Sequence, residues 1–418
     1  MQSETRRFKF LQVSDVHLDA HLSHTRLPLP LAERQERMRE VLETFLLALE
    51  VAKQEKVHAV FVPGNLWDNE SVTAATAAKV IKGCEDLAEV PVLITPGNKD
   101  FYHPQSFYNQ TALKARGLPL WSPNVMIFSN PEFAAVSPPT LPGVSFTGRA
   151  CLADAELSYR VLQRPVPKNE RALLNILIFH GAMEGLISDE DGLSGAVFSE
   201  DELEAHGFDY AAMGQYVDFG AIQSTQSQVI GAYAGVLAGN GFDVLGTRFA
   251  ILGAIESAAD EPWQCTLDPV ELDRRRFVMV GADISGLATE DIIEEIAVNI
   301  EELGGRADKD LLYVHLEGSY KLDSDGSAVV EQLKARYLHL VVIDNTRPDY
   351  LSAHLDHRTT EWKYIEALLE MKRNTELVRT GEFDTTTTGA VSRNVVEDAL
   401  YYGLDALRHK KVTIRDVD

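Results

Sequence analysis

The chain has 418 residues, which favours two or three domains over a single one. Its hydrophobic share of 45% and charged share of 24% are typical of a soluble globular protein and exclude a disordered one. The formal net charge of −24 repels phosphate, so DNA binding by this chain would need a local basic patch, bound metal ions or a basic partner. Acidity that only keeps the chain soluble is the simpler interpretation of the charge.

The sequence shows no sign of a membrane or secretory segment. No stretch is long and apolar enough to span a bilayer, and "MQSETRRFKFLQVSD" lacks the apolar core of a signal peptide. The three cysteines are too widely scattered for a disulfide framework or a zinc site. We therefore expect reduced thiols, no membrane partner and a cytoplasmic location.

The first hundred residues alternate between strand and helix patterns. The apolar run in "FKFLQVSDVHLD" predicts a strand, and apolar residues at helical spacing predict an amphipathic helix over 31–55. A strand at 57–62, a helix within 71–88 and a strand at 91–95 follow. This series predicts parallel strands joined by right-handed crossovers.

The pattern changes after residue 120. Short strands lead to "LLNILIFHG", which is followed by an acidic loop ("SDEDG"), a helix near 199–206 and glycine-rich short strands. We place the end of this domain near residue 270. Residues 271–350 predict a small α/β unit, and 351–418 predict a helix pair joined by "TGEFDTTTTGA".

The last predicted helix carries an apolar stripe made of Val395, Leu400, Leu404 and Leu407, with Tyr401 and Tyr402 beside it. Such a stripe either docks on its own domain or binds a partner, and the sequence leaves both open. Basic residues accompany the helix pair at Lys372, Arg373, Arg408, Lys410 and Lys411.

Polar residues follow the predicted strands, and in open α/β sheets ligands bind at the carboxyl ends of the strands. These stretches are Asp15-Val16-His17, Gly64-Asn65-Leu66-Trp67-Asp68, Gly97-Asn98-Lys99-Asp100, His180-Gly181 and Gly214-Gln215-Tyr216-Val217.

Their order and spacing resemble the calcineurin-like metallophosphoesterase superfamily, whose motifs are D-x-H, G-D-x-x-D, G-N-H-[DE], a lone His and G-H-x-H. The "SDVHLD" start, the "FYHP" after the third motif and the added α/β unit with terminal helices are most similar to SbcD-type DNA repair nucleases, with relatives of the YhaO kind nearest. The resemblance implies a four-layer α/β/β/α sandwich over residues 1–270, a small α/β capping domain over 271–350 and a C-terminal helical partner-binding segment over 351–418.

The resemblance also implies roles for the residues at the motif positions. The metal-ligand positions are Asp15, His17, Asn65, Asn98, His180 and Gln215, with Val217 as a lost ligand position. The catalytic positions are His180 and Lys99, where Lys99 replaces the family histidine. Asp68 and Asp100 are the acids that close the second and third motifs.

Four of these positions depart from the family pattern in ways that disfavour its two-metal chemistry. Asn65 replaces the carboxylate that bridges both metals, Gln215 and Val217 replace two histidines, and Lys99 adds an ammonium. The site is therefore about two charges less anionic, and one charge at ~4 Å with an effective dielectric near 20 is worth about 4 kcal/mol to an ion. We expect no tightly bound metal and at most one weakly held Mn²⁺ or Mg²⁺.

The same residues also allow simpler interpretations. Asp15 and His17 either hydrogen-bond the neighbouring turn or hold a single weak ion. Asn65 and Asn98 are ordinary turn formers after Pro-Gly. Lys99 is either an exposed loop lysine or a cation that holds phosphate.

The hypothesis we favour is an SbcD-like subunit whose phosphodiesterase site is inactive or severely impaired, kept as a scaffold. It would bind an SbcC-type, SMC-like ATPase through the C-terminal helices, form a homodimer through helices of the first domain, and contact DNA only within that complex. One alternative is a weakly active Mn-dependent nuclease with one ion at Asp15, His17, Asp68 and His180. Another is a module that holds a phosphate or DNA end at Lys99 and His180 without cutting.

Overall fold

The computed structural model describes residues 6–22, 27–153, 159–186, 195–258, 262–320, 326–350, 356–379 and 393–409. The chain divides into two compact units, Met1–Phe277 and Val278–Asp418. The "SDEDG" loop, the "TGEFDTTTTGA" loop, Lys410 and Lys411 lie outside the described residues. The limits placed at residues 270 and 350 stay predictions. Among the described helices, none combines the length and the apolar character that crossing a membrane requires.

The first unit contains most of the strands. They are β1 (Arg6–Gln12), β2 (Ala59–Val62), β3 (Val92–Ile94), β4 (Val125–Ile127), β5 (Ala134–Val136), β6 (Val144–Gly148), β7 (Tyr159–Arg160), β8 (Leu174–His180), β9 (Ala182–Met183), β10 (Ala196–Phe198), β11 (Tyr210–Gly214), β12 (Gly220–Gln223), β13 (Val229–Tyr233), β14 (Phe249–Ser257) and β15 (Gln264–Glu271). Its helices are α1 (Leu31–Gln54), α2 (Ala74–Glu85), α3 (Gln110–Ala115) and α4 (Glu200–His206).

These strands form two six-stranded sheets, ordered β15-β14-β1-β2-β3-β4 and β12-β13-β11-β8-β6-β5 within the described residues. In the first sheet β1, β2, β3 and β4 are parallel, which confirms the predicted parallel arrangement of the first three. In the second sheet β6, β8, β11 and β13 are parallel. A three-stranded sheet, β7-β10-β9, lies beside them.

The two large sheets face each other across an aromatic and aliphatic core. Phe10 and Phe61 from the first sheet pack with Phe146 and Tyr210 from the second. Burying each such side chain contributes about 1.5–3 kcal/mol. A second core lies between the first sheet and α1 and α2, and a third joins the second sheet to α4. The layers are thus helix, sheet, sheet, helix, as predicted.

The second unit is built on a small sheet of its own. Its strands are β16 (Phe277–Asp283), β17 (Leu311–Glu317), β18 (Ser319–Tyr320), β19 (Leu340–Asp344) and β20 (Arg347–Pro348). Its helices are α5 (Thr289–Glu302), α6 (Gly326–Arg336), α7 (Thr360–Arg379) and α8 (Arg393–His409). The sheet order is β16-β17-β19, and its core includes residues from α5 and α6.

The apolar stripe of α8 is divided between the interior and the surface of the second unit. Leu400 and Leu404 are buried in a cluster with Tyr350 and Ile365. Val395 and Leu407 are exposed instead, by 55% and 46%. Part of the stripe therefore docks on its own unit, and part remains accessible.

Candidate functional site

The predicted site residues come together where strands of both large sheets end. Asp15 and His17 follow β1, Asn65 follows β2, and His180 is the last residue of β8. The main chain links the first two turns, because the N–H of Asp15 donates to Gly64 O at 3.1 Å and that of His17 donates to Asn65 O at 2.9 Å. The first two motifs are therefore held side by side by backbone hydrogen bonds.

Four site residues adopt the left-handed backbone conformation that few non-glycine residues use. Their φ angles are 49° at Asp15, 51° at His17, 52° at Asn65 and 96° at Gln215. Gly64 has φ +96°, and a Cβ there would lie 2.5 Å from His180 Nδ1, so only glycine fits. Strained residues that cluster in this way are typical of functional sites.

The side-chain amide of Asn65 lies at the centre of the site, and the residue is only 5% exposed. Its Oδ1 accepts from the backbone N–H of Lys99 at 2.9 Å, which fixes Nδ2 at the opposite end of the amide. Nδ2 lies 3.0 Å from Asp15 Oδ1 and 3.2 Å from His180 Nε2. The two hydrogens of this one nitrogen thus face two family metal-ligand positions.

Both oxygens of the Asp15 carboxylate accept hydrogen bonds. Oδ1 accepts from Asn65 Nδ2, and Oδ2 accepts from the backbone N–H of Gln215 at 2.9 Å. The Asp15 side chain is 5% exposed. The predicted ligand Gln215 therefore reaches the site through its main chain, by a contact that the sequence pattern did not indicate.

His180 is also satisfied by neighbouring groups. Its Nδ1 lies 3.0 Å from Pro63 O, and because a carbonyl oxygen only accepts, Nδ1 carries a hydrogen. Nε2 lies between Asn65 Nδ2 and Asn98 Oδ1, which is 3.1 Å away. The neutral ring accepts from Asn65 and the imidazolium donates to Asn98, so a side-chain amide pairs with Nε2 in either state.

His17 pairs with Asp68 through the ring nitrogen that faces away from Asp15. His17 Nδ1 lies 2.7 Å from Asp68 Oδ1, whereas Nε2 is 4.0 Å from Asp15 Oδ1. Burial lowers the pKa of His17, but the hydrogen bond to Asp68 and the charges of Asp68, Asp15 and Asp100 together raise that pKa above 6.5. The Asp68 carboxylate thus orients the His17 ring and favours its protonated form.

Asp100 lies beneath the turns that carry Asn65 and Gly97, bonded to the backbone of both, and is fully buried. Its carboxylate accepts from the N–H groups of Asn65, Leu66 and Gly97 and from the hydroxyl of Tyr108. Burial raises the pKa of Asp100, against the opposing effect of Tyr108, the two backbone donors Leu66 and Gly97, and the His180 charge. Sequence reasoning missed Tyr108, since no motif spacing marks it.

The remaining predicted residues lie around this centre or away from it. Lys99 contacts Asn65 through its backbone N–H, and the residue as a whole is exposed. Val217 is 42% exposed, and its carbonyl accepts from Val236 N and Arg248 Nη1. The valine side chain therefore does not join the buried group formed by Asp15, Asn65 and His180.

These donor sets do not fit a pair of metal ions. Across the described residues, no cluster of three or more His, Cys, Asp or Glu side chains is arranged to hold a metal. A hard cation takes oxygen ligands, yet at the centre of the site Asn65 presents its NH₂ group to Asp15 and His180.

Comparison with known proteins agrees with the fold. Residues 8–214 match the family model for calcineurin-like phosphoesterases. No curated protein sequence matches the chain.

Similar solved structures include TT1561 of Thermus thermophilus, with 12% identity, 64% of this chain and 100% of that chain covered, and a TM-score of 0.35. A dimetal phosphatase from Danio rerio is 12% identical over 62% of this chain and 98% of its own, with a TM-score of 0.35. Purple acid phosphatase PPD1 from yellow lupin (Lupinus luteus) is 12% identical over 65% of this chain and 52% of its own, again with a TM-score of 0.35. At this level the three likenesses carry no argument about activity.

Proposed function

Because residues 8–214 belong to the calcineurin-like metallophosphoesterase superfamily, we propose that this chain is an SbcD-like member whose two-metal site has become a hydrogen-bonded, non-catalytic centre. The chain would serve as a scaffold subunit of a DNA-processing ATPase complex. The assignment to the superfamily rests on the family match, and the proposed loss of catalysis rests on the geometry of the site.

One observation carries the proposal, and it is the orientation of the Asn65 amide. The Lys99 N–H holds Oδ1, so Nδ2 donates toward Asp15 Oδ1 and His180 Nε2. With the His180 ring neutral, a donor group thus occupies the space between two acceptors, which is the part a cation would play. To bind an ion, the chain would have to break these hydrogen bonds and leave a buried amide N–H unpaired, which costs about 1–3 kcal/mol.

The one-ion nuclease is disfavoured by the arrangement of His17. Asp68 contacts Nδ1 of the ring, whereas an ion shared with Asp15 would bind Nε2. Asp68 is therefore on the wrong side of the ring to join Asp15 and His17 around one ion. Its role here is to orient the imidazole.

The test is metal binding together with nuclease activity. We expect the purified chain to show no stoichiometric Mn²⁺ by elemental analysis, no tight Mn²⁺ binding by calorimetry and no cutting of linear DNA. A variant that restores the family ligands (Asn65→Asp, Lys99→His, Gln215→His, Val217→His) should gain Mn²⁺ binding. Two tightly bound ions with DNA cutting by the native chain would overturn the proposal.

The ATPase partner is proposed to bind the C-terminal helix pair. Support comes from Met371 on α7 and Leu407 on α8, which are each 46% exposed, and from Val395, which is 55% exposed. Replacing Met371 and Leu407 by Glu should abolish co-purification with an SbcC-type ATPase. Leu338→Glu is the control, because Leu338 is 72% exposed in the same unit but lies outside the helix pair. DNA binding is expected only with that ATPase present.

Homodimerisation is proposed to use the groove between α1 and α2. Gly83 on α2 lies against Leu46 and Leu49, where a Cβ would come within 2.9 and 3.0 Å. Leu47 lines the same groove and is 46% exposed. Leu47→Glu should shift the mass measured by light scattering from dimer to monomer, whereas Leu120→Glu, at a 49% exposed position of the same unit, should not. A native chain that is monomeric would contradict the proposal.

A further inference from the structure

A single buried carboxylate joins the two turns that carry Asn65 and Asn98. Asp100 accepts from the backbone N–H of Asn65 at 3.0 Å, of Leu66 at 2.7 Å and of Gly97 at 2.5 Å. The first two donors belong to the turn after β2 and the third to the turn after β3. Asp100 therefore ties the second motif to the third.

Tyr108 completes this arrangement. Its hydroxyl donates to Asp100 Oδ2 at 2.6 Å, and its ring stacks on Trp67 with centroids 4.5 Å apart and planes 25° from parallel. Trp67 directly follows Leu66 in the first of the two turns. The tyrosine is thus fixed by its ring to one turn while its hydroxyl holds the carboxylate that joins both.

The direction of the Asn65 side chain depends on this backbone. Asn65 has φ 52°, and its main-chain N–H is held by Asp100 while its Oδ1 is held by the N–H of Lys99. Lys99 is the neighbour of Asp100 in the second turn. If the two turns separated, the amide would lose the donor that fixes its orientation.

We propose that Asp100 and Tyr108 are a positioning pair that holds the Asn65 amide against Asp15 and His180. The proposal rests on the proposed function in one respect, namely that Asn65 acts as the donor at the centre of the site. The contacts of Asp100 and Tyr108 are to the backbone of the two turns and to Trp67, so the pair would act through Asn65.

The test is Tyr108→Phe, which keeps the ring against Trp67 and removes only the hydroxyl. The matched control is Tyr210→Phe, because Tyr210 is fully buried and its hydroxyl donates to Gln12 Oε1 at 2.7 Å, away from both turns. Hydrogen exchange in EDTA should accelerate about tenfold at Asn65, Leu66 and Gly97 in Tyr108→Phe, and not in Tyr210→Phe. The ¹⁵N shift of His180 Nε2 should move only in Tyr108→Phe.

Equal acceleration in both variants, or an unchanged His180 signal, would reduce Tyr108 to a residue that only stabilises the fold. If Tyr108→Phe does not fold, the native chain supplies the second measurement. The amides of Leu66 and Gly97 donate to the two oxygens of the same Asp100 carboxylate and should therefore have protection factors within about tenfold of each other. A larger difference overturns the proposal. Neither readout involves metal, so a native chain that binds two ions would refute the proposed function separately.

Discussion

Asn65 and Asp15 are joined by a hydrogen bond of 3.0 Å between a neutral amide nitrogen and a buried carboxylate oxygen. The two residues come from the first and second motifs and lie at the ends of neighbouring parallel strands. Their pairing, together with the N–H of Gln215, gives both oxygens of the buried Asp15 carboxylate a donor without any metal ion. The stability of the chain should therefore depend on residue 65 being an amide.

Asn65→Asp should destabilise the chain in the absence of metal. The change removes a donor and sets a second carboxylate beside Asp15 in a buried site, which costs about 3 kcal/mol. The free energy of unfolding in urea with EDTA at neutral pH measures the effect. The control is Asn69→Asp, where Asn69 Nδ2 donates to Phe101 O at 2.9 Å and the expected cost is about 1 kcal/mol. Equal losses in the two variants would contradict the central role of Asn65.

The strand ends could be predicted from the sequence because they depend on local pattern. Apolar runs that stop at Asn65, Asn98 and His180 predict polar groups at the carboxyl ends of strands, and the structure brings these residues together from both large sheets. The orientation of the Asn65 amide could not be predicted. It depends on the backbone N–H of Lys99, which lies 34 residues away in sequence.

Two other features were outside the reach of sequence reasoning for different reasons. Tyr108 approaches Asp100 through a loop whose path no spacing rule fixes. The apolar residues of the α8 stripe look alike in the sequence, yet Leu404 is buried and Leu407 is exposed. The difference arises because the packing of α8 in the folded unit determines which of them face Tyr350. Both depend on tertiary contacts.

The His17–Asp68 pair should make stability depend on pH. The folded chain raises the pKa of His17 above 6.5, so its stabilising contribution is fully present below pH 6.5 and is lost as pH rises through the folded pKa. Asp68→Asn should therefore lose more stability at about pH 5.5 than at about pH 8.5. Urea unfolding across this range measures the effect, and an NMR titration of His17 checks the pKa.

His103 supplies a contrast with the opposite sign. Burial and the charge of Arg116 lower the pKa of His103, so protonation there opposes folding. His103→Asn should gain stability relative to the native chain as pH falls, whereas Asp68→Asn should lose it. The same trend in both variants would contradict the assignment of His17 as a histidine stabilised by Asp68.

The cysteines should be slow to react in the folded chain. Burial raises the pKa of the Cys84 thiol to about 12 and that of the Cys265 thiol to about 12, so roughly one in 10⁴ is thiolate at about pH 8. None of the three cysteines is paired in a disulfide. In urea, a thiol-specific reagent should react rapidly with all three thiols. In the native state, neither Cys84 nor Cys265 should react rapidly. Rapid native labelling of Cys84 would contradict its placement in the core.

Gly403→Ala should loosen the C-terminal helix pair. A Cβ on residue 403 of α8 would overlap the hydroxyl oxygen of Tyr364 on α7, and that hydroxyl donates to Ala399 O at 2.6 Å. Alanine is more favourable than glycine within a helix by about 1 kcal/mol. A net loss of stability in the variant would therefore have to come from the steric clash with Tyr364 where α7 and α8 cross.

The measurement is hydrogen exchange of peptides from α7 and α8, which should accelerate in Gly403→Ala. Gly281→Ala is the control, since a Cβ at this exposed position of β16 meets nothing within 4 Å. If Gly403→Ala instead slowed exchange, the helix-favouring effect of alanine would exceed any steric cost at Tyr364. That result would contradict the close contact between α7 and α8 at this position. If it slowed exchange and also kept ATPase binding intact, the partner surface would not depend on how tightly the two helices pack.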